Sequence, residues 1–192
     1  MTSVTAGEHA TTVELEAALG WIRQAPADDG RLLLIVARPA EGERLVLESG
    51  VLDPEVGLVG DTWSRRPTTS TADRSPSPER QLTVMNHRLA RVVARGEERV
   101  HLAGDQLYVD LDLSVENTPP GTRLAIGEAV IELTAPPHLG CAKFVARFGR
   151  EAMSFVNSPT GRALRLRGAN ARVVTSGRVS LGDGVRKLAP LN

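Results

Sequence analysis

The sequence is short of cysteine and of aromatic residues. Cys141 is the one cysteine among 192 residues. That excludes an internal disulfide and suits a reducing compartment, so a cytoplasmic location is expected. Aromatic residues make up 3% of the chain. A core therefore has to be built from Leu, Val, Ala and Ile, and few rings are available for stacking on nucleic-acid bases. No apolar run approaches the ~18 residues of a membrane span. The first ten residues, M-T-S-V-T-A-G-E-H-A, lack the charged-then-apolar order of a secretory signal. His9, His87, His101 and His138 are scattered, which argues against a structural zinc site with four closely organised ligands. Neither nucleic acid nor membrane is an expected partner.

What is present is enough for one domain with an appendage. Hydrophobic residues reach 41%, and 23 basic residues balance 23 acidic ones. The balance is uneven along the chain. From Cys141 to Lys187 ten Lys and Arg face only Glu151 and Asp183, a formal charge of +8, so residues 1–140 carry −8. A cationic stretch that begins at the lone thiol points to an anionic ligand near it.

Periodicity and turn chemistry place the elements. Thr11 and Glu14 form a capping-box pattern ahead of Leu15, Ala18, Leu19 and Ile22, predicting a helix from about Thr12 to Gln24. Leu32 to Val36 and Arg44 to Glu48 predict a hairpin, assigned with the helix to an N-terminal extension over residues 1–49. Arg65 to Arg80 is polar and proline-rich, a loop too polar to pack, and its arginines Arg65, Arg66, Arg74 and Arg80 have two readings, a solvated loop by default or a clamp over an anion. Gln81 to Met85 reads as a strand. Asn86 caps a helix carrying Leu89, Val92 and Val93, with His87 expected to be exposed. Leu107 to Leu113 alternates cleanly. Arg123 to Ile126 and Ala129 to Thr134 flank Gly127-Glu128 as a second hairpin. Arg150 to Val156 predicts a short helix, and short runs from Asn170 to Leu188 predict strands. The class is mainly β, as barrel or sandwich, with a few helices.

The chemistry-bearing stretch is Thr134 to Phe144, T-A-P-P-H-L-G-C-A-K-F. If Gly140 to Phe144 is extended, Cys141 and Lys143 share a face. His138 reaches them if the Pro-Pro-His-Leu-Gly segment turns. A nearby cation favours the thiolate, the form that reacts and binds metal. The competing reading is a small buried apolar cysteine.

Several motifs occur in a familiar order. Gly57-Leu58-Val59-Gly60-Asp61 is followed by Arg80-Gln81-Leu82-Thr83-Val84-Met85-Asn86. Gly104-Asp105-Gln106-Leu107 comes next, then Pro120-Gly121-Thr122-Arg123-Leu124 with Ile126-Gly127-Glu128-Ala129. Gly140-Cys141-Ala142-Lys143-Phe144 follows, and Gly168 to Val173 with Gly177-Arg178-Val179 and Gly182-Asp183 closes the series. Together, over about residues 50–188, they resemble the MOSC family, named from the C-terminal domain of molybdenum cofactor sulfurases.

The resemblance implies a MOSC-type β-barrel over residues 50–192. It implies that Cys141 carries sulfur or ligates molybdenum in the molybdenum cofactor (molybdopterin), an anionic pterin. On that reading Cys141, Lys143 and His138 are the catalytic set. Lys143 supports the thiolate or holds the phosphate, and His138 serves as a proton donor or a structural turn residue. Arg167, Arg172, Asn170 and Asp61 bind the cofactor. Some family members resemble reductases of N-hydroxylated compounds, and others are joined to a pyridoxal-phosphate desulfurase domain that this sequence lacks. The expected activity is sulfur transfer or such a reduction, with a non-catalytic cofactor or sulfur carrier as the alternative. Partners would be an external electron donor, since no four-cysteine iron–sulfur module is present, or a cysteine desulfurase. One departure is that no histidine follows Asp61, where many related sequences have one, so the substrate chemistry is left open.

Overall fold

The computed structural model describes residues 9–68 and 71–189. The first element is helix α1 (Thr12–Arg23), opened by the expected capping box: the Glu14 amide donates to the Thr11 hydroxyl, and the Glu14 carboxylate accepts from the Thr11 amide. The strands follow in chain order as β1 (Gly30–Ala37), β2 (Leu45–Leu47), β3 (Ser49–Asp53), β4 (Gly57–Leu58) and β5 (Leu82–Asn86). Helix α2 (His87–Ala94) leads to β6 (Leu107–Asp110), β7 (Arg123–Ile126) and β8 (Ala129–Pro137). Helices α3 (Ala142–Asn157) and α4 (Pro159–Ala163) precede β9 (Ala169–Thr175), β10 (Gly177–Ser180) and β11 (Gly184–Lys187).

Seven strands close a barrel in the order β1, β6, β5, β9, β8, β7, β11 and back to β1. Among the described residues only β5 and β6 pair in parallel. That pairing needs a crossover, which α2 supplies. Strand β2 continues outward from the upper half of β1, and β10, β3 and β4 form a small separate sheet. The expected hairpin of β1 and β2 is present, but β1 is a stave hydrogen-bonded to both β6 and β11. The division at residue 49 thus cuts through the barrel rather than between two bodies.

Strand alternation divides the core in two. Ile35, Val84, Leu107 and Val109 point into the barrel with Leu32, Leu82, Leu124, Ile131 and Val185. Their neighbours Val36, Met85 and Tyr108 point outward, against Leu15 and Ile22 of α1, Leu89 and Val93 of α2, and Phe144 and Phe148 of α3. All five β5 residues are consequently buried, as expected of a strand covered on both faces. His87, expected in solvent, lies in this second layer, with Nε2 3.2 Å from a Glu97 carboxylate oxygen. The predicted helix at Arg150 is the second part of α3, which Gly149 interrupts at φ 87°. Its first part takes in the stretch expected to be extended. Phe144, Phe148, Ala152 and Val156 repeat every four residues and are all buried, so helical burial outweighs the strand reading.

Asn86 joins the layers. Its Oδ1 accepts from the Leu89 amide at 3.1 Å, and its Nδ2 donates to the Leu111 carbonyl at 2.8 Å. Replacing it removes a helix cap and orphans a buried carbonyl. Asn86→Ala is expected to lower unfolding free energy by about 2 kcal/mol, measured by urea denaturation.

Candidate functional site

The link from β8 to α3 is fastened from both sides. Asn170 Nδ2 donates to the Pro136 carbonyl at 2.9 Å, and the Gly140 amide donates to Asn157 Oδ1 at 3.1 Å. A side chain at Gly140 would come within 2.4 Å of Met153 Sδ, so glycine lets the link lie close on α3. Cys141 is the N-cap of α3 and is exposed, and its side chain makes no capping bond. The thiol is therefore not the buried apolar cysteine of the competing reading. It stands beside the first amides of a helix, which favour an anion.

His138 turns inward from this link. Its Nδ1 lies 3.4 Å from Asp105 Oδ1. Asp105 is fully buried and takes a 2.6 Å bond from Arg167 Nη1 on its other oxygen. Arg167 also donates Nη2 to the Ala103 carbonyl at 3.1 Å, and its guanidinium sits 5.0 Å over the Phe144 ring. The turn carrying Asp105 is fixed by Tyr108, whose hydroxyl accepts from the Gly104 and Asp105 amides. Burial pushes the Asp105 carboxyl up while Arg167 pulls it down. Burial, then the charges of Arg167, Arg38 and Arg80, hold His138 well below the usual histidine range, so its ring is neutral.

Two recesses flank the link. One, of about 300 Å³, is largely apolar and is lined by Pro136, Pro137, His138, Leu139, Arg167 and Asn170 among others. The other, of about 470 Å³, is cationic: Arg38, Arg44, Arg65, Arg66 and Lys143 line it with a single carboxylate, Glu41. A smaller cleft of about 170 Å³ shares Arg38 and Arg66 and adds Arg80. Arg38 is locked by Asp61, its Nε and Nη2 reaching the two carboxylate oxygens at 2.7 and 3.0 Å. Arg44 Nε is buried without a partner. Burial, then Arg147 and Arg38, lowers the Arg44 pKa, and burial, then Arg38, lowers that of Arg66. Cations crowded this way, with donors unspent, favour an anion between them.

Four of the sequence-derived residues are divided between these two recesses, and Cys141, Asp61 and Arg172 line neither. Lys143 is at the cationic cleft, with Nζ 2.7 Å from Glu41. His138, Arg167 and Asn170 are at the apolar recess. Asp61, expected to bind cofactor, has both carboxylate oxygens taken by Arg38 and the Trp63 amide. Arg172, expected on the phosphate, lies on the barrel exterior with Nη2 2.7 Å from Glu132. Of the ten late basic residues Lys143 lines the cationic cleft, while Arg167 pairs with Asp105 and Arg186 with Asp29. The cleft comes mainly from Arg38, Arg44, Arg65 and Arg66. Of the four loop arginines, Arg65, Arg66 and Arg80 line these clefts and Arg74 does not. Arg38, Arg44 and Asp105 were not singled out as site residues from the sequence. No periodic signal marks them, since their roles arise from contacts far along the chain.

Comparison with solved structures places the fold. The chain is similar to YiiM from Escherichia coli, with 21% identity over 84% of this chain and 71% of that one and a TM-score of 0.54. It is also similar to the YuaD protein from Bacillus subtilis, at 15% identity over 81% and 93% with a TM-score of 0.59. For YiiM from Geobacillus stearothermophilus the values are 11%, 83%, 75% and 0.50. The likeness establishes a MOSC-like barrel fold. No family model and no curated protein matches the sequence.

The state of His138 sets a pH dependence. Its folded-state pKa is depressed, so its contribution to stability is complete above the unfolded value near 6.5. That contribution is lost as pH falls from there toward the lower folded value, because the unfolded chain then binds the extra proton. His87 is shifted the same way. Unfolding free energies of wild type and His138→Gln measured between pH 7 and about 5 therefore isolate the residue: wild type is expected to fall more steeply.

Proposed function

We propose that the chain binds a molybdenum pterin cofactor, with the Cys141 thiolate as the protein ligand to the metal and the arginine cleft holding the anionic phosphate. The observation that carries this reading is an exposed thiol two residues from Lys143, which lines a cleft where five cations meet one carboxylate. The residues fit the group. A thiolate suits a soft, thiophilic metal. Arg44, Arg66 and Lys143 offer charge-assisted hydrogen bonds to phosphate oxygens, and the buried Arg44 Nε has no acceptor within the protein among the described residues. Asp61 keeps Arg38 in place rather than touching the cofactor.

When bound, the cofactor supplies a metal able to exchange electrons and to accept or release oxygen or sulfur. The chain's own residues bind and orient it. His138, whose Nδ1 lies 3.4 Å from Asp105 Oδ1 without a hydrogen bond, stands as a neutral ring beside the site. The activity class is sulfur transfer or reduction of an N-hydroxylated compound, served by a separate electron donor or a cysteine desulfurase. The open position of Cys141 also suits a carrier that passes sulfur to a second protein without turnover.

The test is anaerobic purification from a host that makes molybdopterin, followed by metal analysis and pterin fluorescence. Molybdenum stoichiometric with protein is expected. Cys141→Ser is expected to lose it while changing stability by less than about 0.5 kcal/mol, the side chain being exposed. Arg44→Gln is expected to retain less pterin yet leave the cofactor-free protein at least as stable, since like-charge crowding is relieved. A wild-type preparation with neither metal nor pterin would refute the reading.

A further inference from the structure

The apolar recess on the far side of the link from the arginine cleft contains a guanidinium without a counter-charge. Arg165 lies just beyond the end of α4 at φ 46°. The Leu166 amide donates to the Gly161 carbonyl at 2.8 Å and the Arg165 amide to the Arg162 carbonyl at 3.1 Å, a helix ending in which glycine is the usual residue. Arginine there holds a left-handed backbone conformation that glycine would adopt at less cost. Its Nη1 donates to the Thr118 carbonyl at 2.5 Å. Burial alone lowers its pKa, and no carboxylate pairs with it among the described residues. Arg162, which also lines the recess, spends its Nε on the Asn157 carbonyl at 3.0 Å. Pro136, Pro137, Leu139 and Val156 supply an apolar wall. About 300 Å³ is at the lower end of the range for small-molecule pockets.

We infer that this recess binds a small organic carboxylate with an apolar, planar body, its carboxylate paired with Arg165 and its body against Pro136, Pro137 and Leu139. The site shares no lining residue with the arginine cleft, so it stands whether or not a pterin binds there. A partly desolvated cation beside an apolar wall selects for both halves of such a ligand: a bare anion lacks the body, and a neutral isostere leaves the guanidinium unpaired.

The test uses the whole chain titrated with 2-naphthoate, its neutral isostere 2-naphthamide, and acetate, followed by calorimetry. Saturable binding of 2-naphthoate is expected, with the amide and acetate each weaker by at least about tenfold, ~1.4 kcal/mol. Arg165→Gly gives up the Thr118 bond for a backbone that glycine suits, and is expected to lose about tenfold in 2-naphthoate affinity. Ala135→Trp, at an exposed lining residue, is expected to abolish binding by filling the recess. The inference is overturned if 2-naphthoate fails to saturate by roughly 10 mM, if the amide or acetate binds as tightly, or if either variant binds like wild type. Should Arg165→Gly fold poorly, the amide comparison and Ala135→Trp still decide the matter.

Discussion

Arg167 and Asp105, 62 residues apart in sequence, meet out of water at 2.6 Å, and much of the candidate site is hung on that pair. Desolvating two charges costs about as much as their attraction returns, so such a pair adds little net stability. Removing one partner, however, costs roughly 3–5 kcal/mol. The pair is thus a constraint on where the chain goes more than a source of stability. Asp105 sits in the turn ahead of β6, and Arg167 sits ahead of β9 with its guanidinium over Phe144 of α3. Gly168, at φ 101°, brings β9 so near β5 that a side chain there would come within 2.5 Å of the Val84 carbonyl oxygen. Strand, turn and helix are fixed in one place, and His138 comes to rest against the same carboxylate.

The link from β8 to α3 joins residues of two different recesses. His138 and Leu139 line a recess walled by prolines and aliphatic side chains, and Lys143, at the start of α3, lines the cleft of mutually repelling cations. The cationic side is not neutralised because its acids are few: buried Asp61 is shared between Arg38 and Arg66, and Glu41 pairs with the exposed Lys143. Folding in the absence of a ligand leaves that repulsion unrelieved, a free energy that a bound anion recovers.

Much of the fold was legible in local pattern. The capping box at Thr11 and Glu14, the cap at Asn86 and the hairpin around Gly127 each depend on residues within a few positions, and each forms as expected, whereas the strand from Leu107 ends at Asp110 and is buried on both faces. The start of α3 was misread because C-A-K-F is too short to reveal a period. The four-residue spacing of Phe144, Phe148, Ala152 and Val156 carried the signal over a longer window. His87 was misplaced because its burial depends on Glu97 and on the layer over β5.

The sequence by itself determined most element types, the presence of a single thiol and an uneven distribution of charge. It could not determine which arginines line the cationic cleft. An arginine is free only if no carboxylate, carbonyl or ring elsewhere in the chain engages it. Arg167 and Arg172 pair with the carboxylates of Asp105 and Glu132, while Arg44 pairs with no carboxylate among the described residues. Those partners come from distant parts of the chain, and closure of the barrel brings them together.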